Sequence, residues 1–329
     1  MPELADSATP VPHDEVRRYF EDAGPNPAPW TRDIAALRRE TRDEAMAVRG
    51  HLESVAMVET LSIAGTLSRL YRPATPRLRG GPGGSQRDGS DRDVLVWLHG
   101  GGWMHGDLDC YDGVARAFAN RAGCPVIAVD YRLAPEHPFP AGFDDVWATV
   151  EWSAANFGRV AVAGDSSGGN LAAAVAIKAR DRNVDLAAQV LVYPVVESRT
   201  DTEFKRWFRA RYGRFANQPD FGPATADRIN YIWETYVPDP AARDCPYASP
   251  ARADTLRGVA PAMIITAEHD ILRGEGQDYA RRLLADGVPV ALCGYPGQIH
   301  GFFQMRGVMS AALDAMNLAA DYLKREFGR

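Results

Sequence analysis

Residues 159–175 read R-V-A-V-A-G-D-S-S-G-G-N-L-A-A-A-V. An apolar run leads into G-D-S-S-G-G and an alanine-rich run follows, which predicts a strand, a tight turn and a helix. Glycine-rich turns in that setting either cradle phosphate or present a nucleophile. Glycines at 164, 168 and 169 do not make the dinucleotide pattern G-x-G-x-x-G. Gly164 and Gly169 have P-loop spacing, but Asn170 stands where the phosphate-binding lysine belongs. G-x-S-x-G does fit, and it points to a nucleophile elbow. In such an elbow the residues two before and two after the serine nearly touch, so both must be small. Gly164 and Gly168 flank Ser166, whereas Asp165 and Gly169 flank Ser167 and the aspartate would crowd the turn. Ser166 is therefore the expected nucleophile, and Ser167 the residue offering its N–H at the head of the helix.

The pattern alone also describes a purely structural turn, so a base and an oxyanion hole are required. Serine is a poor nucleophile until a neighbour takes its proton, and histidine titrates in the right range. In this architecture the order along the chain is serine, acid, histidine. Of seven histidines only His269 and His300 follow Ser166. His300, in C-G-Y-P-G-Q-I-H-G-F-F just past an apolar run at 288–294, is the expected base. His269, in I-T-A-E-H-D-I-L-R, reads as a solvated loop histidine. Asp270 is the expected acid and Glu268 its rival. H-G-G-G-W at 99–103 follows the run Val94–Leu98, and three glycines let backbone N–H groups turn toward an oxyanion. Gly100, Gly101 and Ser167 are the expected donors, with His99 holding the loop. Trp103 and Phe302 are the candidate substrate-pocket residues.

The rest of the chain supplies a frame. Apolar runs at 94–98, 126–131, 160–164, 190–193, 263–267 and 288–294 alternate with helical patterns at 108–121, 142–156, 168–181, 274–286 and 308–326. That alternation predicts an α/β fold with a mostly parallel sheet covered on both faces, whose active residues gather at the strands' carboxyl ends. One or two further strands are expected within 55–72, and helices between 14 and 48 broken by G-P-N-P-A-P at 24–29. The stretch 79–93, rich in glycine and charge, reads as a surface loop. Residues 1–50 form an expected N-terminal cap, 51–329 the catalytic domain, and 198–249 a cap insertion within it. Inside that insertion, 203–215 interleaves aromatics with Lys205, Arg206, Arg209, Arg211 and Arg214. On a helix Phe204, Trp207 and Phe208 share a face that would dock on the body. The cations then coat the solvent face, or lean over the entrance and favour an anionic ester.

With 46% hydrophobic and 24% charged residues over 329 positions, the composition is that of a globular chain. A net charge of −6 argues against a nucleic-acid partner. Four scattered cysteines without a C-x-x-C pair suggest neither a zinc site nor a redox pair. The start M-P-E-L-A-D has no apolar signal region, and no run of about 18 apolar residues exists, so a cytoplasmic protein without stable membrane insertion is expected.

Taken together, H-G-G-G-W-M-H-G-D-L-D (99–109), V-D-Y-R-L-A-P-E-H-P-F-P-A (129–141), G-D-S-S-G-G-N (164–170), I-T-A-E-H-D-I-L-R-G-E-G (265–276) and Y-P-G-Q-I-H-G-F (295–302) resemble the hormone-sensitive lipase family, the bacterial family IV esterases of the α/β-hydrolase superfamily. The resemblance implies an eight-stranded sheet, a helical cap and hydrolysis of carboxylic esters by Ser166, Asp270 and His300 without metal or organic cofactor. It implies a small ester as substrate, of short to medium acyl length, and leaves a homodimer open. Three positions depart from the family's habit: Ser167 for alanine, Ile271 for proline and Gly274 for aspartate. Two other functions use or discard the same residues. An acyltransferase or metabolite deacylase would keep the triad, and a non-catalytic binding protein of this fold would usually lose a member of it.

Overall fold

The computed structural model describes residues 13–23, 33–74, 93–212 and 224–328. The tail at 1–12, the break at 24–29 and all but Asp93 of the stretch 79–93 lie outside the described residues. Eight strands form one sheet: β1 (Met57–Ile63), β2 (Thr66–Arg72), β3 (Asp93–Leu98), β4 (Val126–Val129), β5 (Arg159–Asp165), β6 (Ala188–Val192), β7 (Ala262–His269) and β8 (Val290–Ile299). Their order is β1-β2-β4-β3-β5-β6-β7-β8. Only β2 runs against its neighbours; the pairings from β4 through β8 are parallel.

Parallel pairing demands a crossover between strands, and helices supply it: α3 (Asp112–Phe118), α4 (Ala141–Asn156), α5 (Ser167–Arg182) and α8 (Arg273–Ala285), with α9 (Ser310–Glu326) following the last strand. They cover both faces, which is why β3, β4 and β6 are buried at every residue. Ahead of the sheet come α1 (Asp14–Ala23) and α2 (Ile34–Val48); between β6 and β7 lie α6 (Glu203–Tyr212) and α7 (Ala224–Tyr236). One boundary differs usefully from the pattern reading. β8 runs on to Ile299, with a register shift against β7 between Ala267 and His269. Within that shift the Glu268 carboxylate accepts the Gly297 N–H at 2.7 Å, replacing a ladder bond by a side-chain one. His300 consequently leaves the strand directly.

The α6 helix docks as its aromatic stripe suggests but distributes its charges differently. Phe208 is buried, and the Phe204 ring sits on Gly274, where a β-carbon would lie 2.2 Å from Phe204 Cγ. That contact accounts for glycine at a position where the family often carries aspartate. Lys205 does not coat the solvent face. It is 1% exposed, 2.9 Å from Glu275, and donates to the Arg199 carbonyl at 2.9 Å. Arg206 and Arg209 both pair with Asp201 at 3.0 Å. Arg214 and the side chain of Arg211 lie outside the described residues.

Breaking a buried pair leaves one charge without compensation, at a cost of about 3–5 kcal/mol. Lys205→Met should therefore lower the free energy of unfolding in urea by roughly that amount. A loss under about 1 kcal/mol would make the pair no stronger than a surface one.

Candidate active site

Ser166 sits between β5 and α5 with φ 53° and ψ −117°, a strained conformation that turns its hydroxyl out of the sheet edge. The turn exists because nothing larger than glycine fits beside it. A β-carbon on Gly164 would lie 2.3 Å from the Gly168 carbonyl oxygen, and one on Gly168 would lie 2.0 Å from that of Leu98. The Ser166 N–H donates to the Val192 carbonyl at 2.9 Å, tying the elbow to β6. Asn170, in the position a P-loop gives to lysine, donates to the carbonyls of Val195 and Ala248 at 2.7 and 2.8 Å.

His300 Nε2 lies 2.9 Å from Ser166 Oγ, and His300 Nδ1 lies 2.8 Å from Asp270 Oδ2. The second contact is made by a carboxylate only 1% exposed, whose other oxygen accepts the Leu272 N–H at 2.8 Å. With Nδ1 donating to Asp270, Nε2 is left to accept the serine proton. Glu268 is occupied elsewhere, on Gly297. His269 is the last residue of β7 and fully buried, so the expectation of a solvated loop histidine is overturned. The ring of Tyr193, a residue the pattern reading did not single out, covers His300 at a centroid distance of 4.7 Å.

The glycine triplet needs a correction. The Gly100 N–H donates to Asp165 Oδ1 at 2.8 Å and is not free for a substrate oxygen. Gly101 and Gly102 have φ of 123° and 59°, line the same cavity as Ser166, and their N–H groups make no hydrogen bond among the described residues. Ser167 heads α5, where a helix has N–H groups without intrahelical partners. The free donors around Ser166 are thus those of Gly101, Gly102 and Ser167. His99 is buried behind them; its Nδ1 lies 2.8 Å from the Gly100 carbonyl, its ring stacks on Tyr131 at 4.3 Å, and burial pushes its pKa down to about 4.

Comparison with known proteins bears on the family and the fold. Residues 95–304 match the family described as alpha/beta hydrolase fold. Carboxylesterase NlhH of Mycobacterium tuberculosis is 41% identical over 70% of this chain and 73% of its own. Ethyl acetate hydrolase of Pseudomonas putida is 34% identical over 95% and 90%. The solved ester hydrolase EH1AB1 from the Lake Arreo metagenome, bound to a bipyridine phosphonate derivative, superposes with a TM-score of 0.84 at 33% identity over 97% of this chain and 100% of its own.

The chain belongs to the alpha/beta hydrolase fold family. Within that superfamily it falls among the esterases of the hormone-sensitive lipase type. Among the described residues no helix is long and apolar enough to cross a membrane.

A cavity of about 920 Å³ opens above this hydrolase's serine, walled by α1, α2, α7 and the loops after β3 and β7. Trp103 and Phe302 do not line it. Trp103 is 1% exposed and stacks on Tyr236 at 4.0 Å and against Trp233 at 5.1 Å. Its φ of 58° is unfavourable for a residue with a side chain, at a cost of about 1–3 kcal/mol, and the stacking holds it there. Phe302 is fully buried against Tyr193 and Tyr295. The apolar wall comes instead from Val195, Ile229, Ile232, Leu272 and Met305.

Asp165, buried directly before Ser166, is a group in this site whose ionisation reaches stability. Burial pushes its carboxyl up to about 6, against the lowering effect of hydrogen bonds from Tyr111 and Gly100. A carboxyl that holds its proton more tightly folded than unfolded stabilises below the unfolded value, near pH 4. That contribution is lost as pH rises through about 6. Over this window the wild type should lose on the order of 3 kcal/mol relative to Asp165→Asn, read as the divergence of their unfolding free energies with pH. Parallel pH profiles for the two proteins would refute the assignment.

Proposed function

We propose that this protein is a carboxylesterase working by two-step acyl transfer at Ser166. The observation that carries the reading is the continuous chain of contacts Asp270–His300–Ser166, at 2.8 and 2.9 Å. Ser166 Oγ attacks the ester carbonyl carbon while His300 Nε2 takes its proton, and Asp270 stabilises the imidazolium that forms. The N–H groups of Gly101, Gly102 and Ser167 bind the oxyanion. On collapse of the tetrahedral intermediate the carbon–oxygen bond to the alcohol breaks and His300 gives that oxygen its proton. Water, deprotonated by His300, then attacks the acyl-serine; the carboxylic acid leaves and Ser166 recovers its proton.

The substrates are small esters of short to medium acyl length. The apolar wall of the cavity supports acyl binding, and the name ethyl acetate hydrolase, carried by a relative matched over nearly the whole chain, supports a short acyl group. Residues 1–50 and 198–249 act as the cap, a reading supported by the cavity walls that α1, α2 and α7 supply. A panel of p-nitrophenyl esters from acetate to palmitate tests acyl length. Activity should peak among the shorter chains, and a maximum at palmitate with activation by emulsified triglyceride would overturn the proposal.

Ser166→Ala should abolish both hydrolysis and labelling by a fluorophosphonate, whereas Ser167→Ala keeps its N–H and most activity. A labelled peptide carrying the adduct on Ser167 would sink the assignment. Asp270→Asn should lower kcat by about 10⁴-fold, because the amide no longer enforces the right imidazole tautomer. Glu268→Gln should cost little, since an amide oxygen still accepts the Gly297 N–H.

A further inference from the structure

We infer that α2 aims the oxyanion hole, and that Arg38 and Arg42 are positioning residues of the esterase reaction. The inference rests on the esterase reading above. It begins from peptide geometry. In a trans peptide the C=O of one residue and the N–H of the next point in opposite directions, so whatever holds the carbonyl also aims the N–H. The Gly101 carbonyl accepts the N–H groups of Met104 and His105 at 3.0 and 3.1 Å, and these two bonds set the direction of the Gly102 N–H. The Gly100 carbonyl lies 2.8 Å from His99 Nδ1, which sets the Gly101 N–H in the same way. The aim of one oxyanion donor thus depends on where Met104 sits.

Met104 is held by α2. Arg38 Nε donates to the Met104 carbonyl at 2.8 Å, Arg38 Nη2 donates to the Ala134 carbonyl at 3.1 Å, and both guanidinium arms reach Glu136 at 2.8 and 2.7 Å. Four residues along the same helix face, Arg42 bridges Asp107 and Asp109 farther down the loop, the latter at 2.6 Å. Beside Arg38, Leu37 is buried against Met104 and Ala134 in an apolar cluster separate from the main core. This helix therefore grips the loop on both sides of Gly106, by carbonyl, by carboxylate and by packing. Neither Leu37 nor Met104 belongs to the sheet's own core.

The test compares Arg38→Leu, Arg42→Leu and Arg42→Lys with the wild type on p-nitrophenyl butyrate. Two inhibitors accompany it. A trifluoromethyl ketone of matched length adds to Ser166 and places an oxyanion in the hole, while the corresponding secondary alcohol binds the cavity without one. A donor displaced by a fraction of an ångström should cost about tenfold to a hundredfold in kcat, with KM unchanged. Ketone affinity should fall by the same factor and alcohol affinity should hold. Arg42→Lys should recover part of the loss, since an ammonium still reaches one carboxylate. Wild-type ketone affinity in the leucine variants, or equal weakening of ketone and alcohol, would overturn the inference. If those variants do not fold, Glu136→Gln carries the test, because it loosens Arg38 from a residue half exposed to solvent. Weakened ketone binding with intact alcohol binding then supports the role, and unchanged ketone binding refutes it. A wild type inert toward both ester and fluorophosphonate would instead overturn the esterase reading itself.

Discussion

The carboxylate of Asp165 joins three parts of the chain that the chemistry needs to keep together. It accepts the Gly100 N–H at 2.8 Å, the Tyr111 hydroxyl at 3.0 Å and the Tyr193 hydroxyl at 3.5 Å. Those donors come from the loop after β3, the residue capping α3 and the end of β6. A carboxylate buried without partners would be costly, so the donors and the acid need one another. The residue after Asp165 is Ser166, so this one carboxylate ties together the elbow, the glycine triplet and the tyrosine covering His300. The same bond explains why the free N–H groups of the triplet start at Gly101: the preceding N–H is already used to hold the loop.

Parallel β-structure then does the rest of the assembly. β5, β6, β7 and β8 are consecutive neighbours running in one direction, so the residues that follow β5, β7 and β8 emerge on one edge. Ser166 and His300, 134 residues apart in sequence, meet at 2.9 Å for that reason. This much is legible in the sequence, because each of Ser166, Asp270 and His300 comes within a few residues of the end of an apolar run, and apolar runs mark where strands end to within a few residues. The choice between the two serines is legible too, since it depends on side-chain size at positions 164, 165, 168 and 169 alone.

What the sequence does not disclose is what lies opposite a residue in space. Trp103 and Phe302 stand next to site residues along the chain, yet both turn inward, one onto Tyr236 and the other onto Tyr193. Sequence adjacency to a turn says nothing about the side a ring takes. Lys205 reads as one more cation on a basic helix until Glu275 is found beside it. Gly102 is hidden among three identical residues, and only Asp165 one strand away distinguishes Gly100 from the other two. His269 and Asp270 are adjacent and both buried, and only the contact with His300 tells which of them belongs to the site.

The helices outside the sheet divide their work in a way that composition conceals. The most basic of them, α6, spends its stripe on α8, Lys205 on Glu275, and Arg206 and Arg209 on Asp201, and none of its described side chains lines the cavity. The charged side chains that do line the mouth belong to α1, α2 and α7: Glu15, Asp22, Glu40 and Glu44 with Arg18 and Arg228. Acids outnumber bases among these described residues, so the alternative in which cations lean over the entrance to attract a carboxylate-bearing ester finds no support among them. Two of the acids are themselves engaged, Glu15 with Ser310 and Glu44 with the Tyr19 hydroxyl, which ties charge at the mouth to the docking of α1 on the body. In ordinary salt an exposed charge acts over about 10 Å. Charges farther off than that are screened, so the electrostatics of the cavity are set by the groups on its own walls, which come from the helices outside the sheet and from the loops at the strand ends.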